Sequence, residues 1–105
     1  MNKIAFLNDG LRRTFARGKV VMTAGVAALS EEELTQVLER VRHFDEFTTD
    51  NDPHGEHDFG NFELAGVNYF FKIDNYATDM QGGSEDPADP EKTTRVLTIM
   101  RADEY

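Results

Sequence analysis

Apolar positions recur along this chain with two periods, one helical and one of strands. Ile4, Leu7, Leu11 and Phe15 fall at helical spacing with Arg12, Arg13 and Arg17 on other faces, so a first helix is expected over residues 3–17. Gly18 stands where that helix would stop, and Arg17 in the last turn suits the carbonyl end of its dipole. Lys19 to Thr23 is short and β-branched and follows a glycine, which reads as a strand closed by Gly25. Ser30 followed by Glu33 has the form of a capping box, Leu29 and Leu34 can form the hydrophobic staple, and Glu31 and Glu32 add negative charge to the first turn. Leu34, Val37, Leu38 and Val41 continue it as one apolar stripe that Phe44 extends.

Residues 45–58 are polar and without periodicity, a long loop of the kind that tends to be functional or mobile. Beyond it the period changes to two. Phe62 and Leu64 alternate with Asn61 and Glu63, and Val67, Tyr69, Phe71 and Ile73 alternate with Asn68, Phe70, Lys72 and Asp74. Ala65-Gly66 between them predicts a tight hairpin. Carried back from Leu64 opposite Val67, its register faces His57 with Asp74 and Asp58 with Ile73. Phe70 and Phe71 must point to opposite faces, one to the core and the other to a covering element or a partner. Residues 81–90 are dense in turn formers, and Thr93 to Met100 reads as a last strand. The order α-β-α-β-β-β predicts an α+β fold, two helices on one face of a mostly antiparallel sheet of about four strands. With 105 residues the chain fits one domain.

Charge changes this picture more than composition does. The formal net charge is −9, which argues against generic affinity for nucleic acid or anionic membrane. It is not spread evenly. Residues 1–19 carry five basic groups against one acid, a net of +4, whereas residues 44–90 carry twelve acids against Lys72, a net of −11. There is no cysteine, which excludes a disulfide scaffold, a thiolate metal site and a cysteine nucleophile. No apolar run reaches signal-peptide or membrane-span length, and a cytoplasmic location is the expectation.

The densest polar constellation runs from Asp50 through Asp52, His54, Glu56, His57 and Asp58, with Asp74 and Tyr76 brought near by the hairpin register. Three readings compete. His54, His57, Asp58 and Asp74 offer imidazole and carboxylate ligands to zinc or another divalent ion. A calcium loop beginning at Asp50 would need a bidentate glutamate where Asn61 stands. Alternatively His57, polarised by Asp74, does acid–base work without metal. The third reading is that these turn residues cap one another and orient the loop. Ser30 and Ser84 read as a helix cap and a turn residue, His43 as a partner of the second helix's dipole, and Gly82-Gly83-Ser84 lacks the lysine of a phosphate loop. Arg12, Arg13, Arg17 and Lys19 form a candidate basic patch, with a solvated helix face as the plainer reading.

The stretches LNDGLRRTF, GKVVMTAGVAAL, TTDNDPHGEHDFGNFE, FFKIDNY and DPADPEKTTRVLTIM resemble a family of small bacterial proteins, domain of unknown function 3768. The resemblance covers nearly the whole chain. It implies a bacterial setting on plasmids and other mobile elements, where small acidic proteins serve as accessory or anti-defence factors, and it implies no activity. The residues and this setting together lead to an acidic binding protein that docks on a protein partner such as a basic nucleic-acid-handling protein, without enzymatic activity or a cofactor. A metal-dependent hydrolase or metal-binding domain on His54, His57, Asp58 and Asp74 is the alternative.

Overall fold

Hydrogen bonds join four strands into one sheet in the spatial order β1-β4-β3-β2. The computed structural model describes residues 2–105. Its elements are α1 (Lys3–Thr14), β1 (Lys19–Met22), α2 (Ala24–Ala27), α3 (Glu31–His43), β2 (Phe59–Leu64), β3 (Val67–Tyr76) and β4 (Thr94–Arg101), closed by a 3-10 turn over Ala102–Glu104. The fold is α+β. The β2–β3 and β3–β4 pairings are antiparallel and β1–β4 is parallel, so the sheet is mixed. The parallel pair joins segments far apart in the chain, where no hairpin turn constrains direction.

Alternation along the strands sets which face is buried. Phe71, Ile73, Leu97 and Ile99 point to one side and meet Leu11 of α1, Val26 of α2 and Val37 and Val41 of α3 in a single core. Burying a side chain of this size contributes roughly 1.5–3 kcal/mol, so these few residues dominate the stability of a small domain. The expected hairpin register holds from Leu64 opposite Val67 to Phe59 opposite Lys72. Ala65 and Gly66 both take positive φ, at 52° and 81°, as a two-residue hairpin turn of the primed type requires. On the other face Phe70 is half-buried. The covering group is Tyr105, whose ring meets it edge-on at 5.8 Å, with Phe59 beside it at 5.4 Å.

The capping box on α3 forms as expected, with Ser30 Oγ accepting from the Glu33 amide at 3.1 Å and the Glu33 carboxylate accepting from the Ser30 amide at 3.3 Å. Three expectations are corrected. The first helix ends at Thr14, because Phe15 takes the left-handed conformation (φ 57°) and donates its amide to the Leu11 carbonyl. Gly18 serves a close approach instead, since a Cβ there would lie 2.8 Å from the Arg95 carbonyl oxygen. Gly25 does not simply close a strand but lies in α2, where a Cβ would run into Arg101 and Glu104 at 2.7 Å. Glu104 uses that gap. Its carboxylate accepts from the Thr23 hydroxyl at 2.7 Å and the Gly25 amide at 2.8 Å, bonds that hold its pKa below the usual carboxylate range.

Candidate functional site

The polar cluster of the 45–58 loop does meet a second element, but that element is α1. Register is lost at His57, two residues before β2. Asp58 still accepts from the Ile73 amide at 2.8 Å, yet His57 turns off the sheet with φ 55°, uncommon for a residue with a side chain. Its imidazole therefore points away from Asp74 and onto α1. His57 Nδ1 lies 3.0 Å from both carboxylate oxygens of Asp9, a geometry that places the ring proton on Nδ1. Nε2 looks toward Asp52 Oδ2 at 3.8 Å, and Phe47 stacks flat on the ring at 4.0 Å.

Asp9 belongs to a row on α1 that turns inward. Asn8, Asp9 and Arg12 are all buried, at 0%, 3% and 0% exposure. Arg12 Nη2 donates to Asp9 Oδ1 at 3.0 Å, while Nη1 donates to the carbonyls of Val41 and Arg42 at 2.8 and 3.2 Å. Those are carbonyls at the C-terminal end of α3, which have no partner within the helix. The guanidinium also lies over the rings of Phe47 and Phe71, at 5.3 and 5.5 Å. Burial pulls its pKa down and Asp9 holds it up. Arg12 is therefore no part of a basic surface patch; the patch reduces to exposed Arg13, Arg17 and Lys19.

Asn8 carries the network to the far side of α1. Its Nδ2 donates to the Glu56 carbonyl at 3.0 Å, and its Oδ1 accepts from Arg95 Nε at 3.0 Å. Arg95 Nη2 donates to the Pro87 carbonyl. On the loop side, buried Asp52 accepts from the amides of Glu56 and His57, and Asn51 ties the loop's start by bonding Thr48 and the Glu46 carbonyl. These bonds are the mutual capping that the third reading of the cluster describes. Asp50 and His54 are exposed, and Tyr76 is half-buried at the far end of β3 beside Thr94.

The four-residue metal set is not assembled. His57 is committed to Asp9, Asp74 pairs with Lys72 Nζ at 3.3 Å, and His54 faces solvent. Among the described residues no group of three or more His, Asp or Glu side chains is disposed to hold a metal ion. Asp58 does feel Asp52, His54 and Asp74, but desolvation is the larger cause that pushes its pKa up. His43 stays exposed in the last turn of α3 and bonds Glu39 at 3.1 Å. Ser84 accepts from the Asp86 amide and bonds Thr93, as a turn residue. Asn8, Asp9 and Arg95 were not among the expected site residues. The adjacent polar pair Asn8-Asp9, one turn from Arg12 within a helix, was the available signal.

A family model described as "Protein of unknown function (DUF3768)" matches residues 22–104. The matched span holds the loop and Arg95, while α1 lies outside it. Neither a curated protein nor a solved structure matches the chain. Among the described residues no helix is long and apolar enough to cross a membrane.

Proposed function

Because the chain belongs to the DUF3768 family, for which no function is known, its activity has to be read from its own site, and we propose that it is an acidic binding protein that docks its 45–58 loop on a basic protein partner. The observation that carries this reading is the way the loop is held. Asp52, Asn51 and His57 are spent on bonds within the protein, and exposed Asp45, Glu46 and Asp50 project from a backbone already fixed in place. A pre-organised carboxylate surface loses less entropy on association than a mobile one, and its charge steers a basic partner. Among the described residues the buried charges are two arginines and two aspartates, which cancel, so the surface carries the full −9. A bacterial mobile-element setting, implied by the sequence resemblance, would supply nucleic-acid-handling partners with basic surfaces and suits an accessory or anti-defence role.

The test is capture of basic proteins from a bacterial lysate on immobilised protein, repeated with an Asp45→Asn, Glu46→Gln, Asp50→Asn variant. Capture should weaken with salt and fail with the variant. Capture indifferent to both would remove the reading.

One observation favours a second reading, metal-free acid–base work. His57 is oriented by a buried carboxylate, and its side chain is 26% exposed, so the imidazole is not sealed from solvent. Turnover of nitrophenyl esters or phosphodiesters that disappears in His57→Gln would support it, and turnover unchanged in that variant would dismiss it.

A further inference from the structure

Arg95 is 4% exposed, yet among the described residues no carboxylate lies within ion-pair distance of it. Its two protein partners, the Asn8 side chain and the Pro87 carbonyl, are neutral. A buried guanidinium without an anion is costly, and burial accordingly lowers the pKa of Arg95. Its Nη1 has no hydrogen-bond partner among the described residues and, unlike Arg12 Nε, is not sealed from solvent.

The side chain borders a groove of about 640 Å³ between α1 and Pro90, within the range of about 300–1,000 Å³ usual for small-molecule sites. Phe6 and Leu7 give the groove an apolar wall, and Phe6 is 66% exposed. Arg13 and Arg17 stand at its rim. Asp9 also borders it, but both its oxygens are taken by Arg12 and His57. Gly10 lines the groove in the middle of α1, and a Cβ added there would meet nothing within 4 Å. No close contact of the folded chain requires that glycine. It leaves the groove open.

We propose that this groove binds a small organic anion, a carboxylate or phosphate carried on an apolar body, with the head group on Arg95 and the body against Phe6 and Leu7. The anion supplies the counter-charge the protein omits, and a planar guanidinium suits both head groups. Arg13 and Arg17 steer it in. The proposal stands on α1 and Arg95 and does not depend on the acidic-loop reading.

Full-length protein titrated with 2-naphthoate, 2-naphthyl phosphate and the neutral 2-naphthamide, followed by amide NMR, provides the test. Either or both anions should shift the Phe6, Gly10 and Arg13 amides and the Arg95 Nε–H saturably, and which of them does so identifies the head group. The neutral amide should bind about tenfold more weakly, as expected when charge-assisted bonds are replaced by neutral ones. Gly10→Leu should abolish binding without lowering the melting temperature, because it fills the groove and leaves Arg95 in place. Arg95→Gln should weaken the anions and leave the neutral amide unchanged; if that variant does not fold, Gly10→Leu still decides. Equal binding of anion and amide, undiminished binding in Gly10→Leu, or occupation of these residues only by a single-stranded oligonucleotide would overturn the proposal.

Discussion

Among the described residues two arginines are buried, Arg12 on α1 and Arg95 on β4, and their surroundings differ in kind. Around Arg12 the protein supplies a carboxylate, two helix-end carbonyls and two aromatic faces. Around Arg95 it supplies two neutral oxygens and an open groove. The first region is closed and completed from within. The second is left incomplete, with the desolvation of a cation uncompensated by any acid among the described residues. Burial alone therefore does not say whether a charged residue is structural; its partners do.

The largest expected effect contrasts the two side chains directly. Arg12→Ala removes one member of a buried ion pair, leaves Asp9 with His57 as its remaining partner and two helix-end carbonyls without a donor, and should cost about 3–5 kcal/mol in urea unfolding. Arg95→Met strands no charge and leaves two neutral acceptors short of a donor, which should cost about 1–3 kcal/mol. Equal losses would erase the distinction between the regions.

Glycines sharpen the same contrast. Gly60 lies under the closed region, where a Cβ would run into the Phe71 ring and sit 2.8 Å from Phe44, so Gly60→Ala should destabilise by about 1–3 kcal/mol. Gly10→Ala, in the open region, should stabilise by about 1 kcal/mol through helix propensity. Thermal melts of the two variants should move in opposite directions.

The smallest effects are in pH. Asp58, raised by desolvation, favours the fold while protonated; that contribution is present below its usual 3.8 and is lost as pH rises through its folded value. Asp58→Asn should therefore melt higher than the parent at neutral pH and equal to it in acid. Glu104, lowered by Thr23 and Gly25, behaves the opposite way. Its contribution is present above its usual 4.5 and is lost as pH falls through its folded value, so Glu104→Gln should melt lower at neutral pH and converge with the parent in acid. Melting temperatures across the acid range check both signs.

The hairpin and α3 were legible because their signals are local. A capping box spans four residues, a two-residue turn sets the pairing of the strands beside it, and period-two burial follows from the pleat. The site was legible only by half. The loop that carries His57 and Asp52 stood out by composition, whereas its partner did not. Extending the hairpin register past Phe59 placed His57 opposite Asp74, but a single positive φ at His57 redirected the ring to Asp9. Arg12 looked like one of several surface cations, because helical spacing alone does not reveal that the end of α3 lies against that face of α1.

Neighbouring residues along the chain are enough to establish the α+β class, the positions of α3 and the hairpin, the apolar core residues on their faces and the polarity of charge. These depend on interactions between neighbours or on counts. Packing in three dimensions set β1 parallel to β4, put Arg12 and Arg95 inside, and turned His57 to Asp9. Those are contacts between residues tens of positions apart. Desolvation and hydrogen-bond geometry choose among their many chemically equivalent pairings only after the core has brought the elements together.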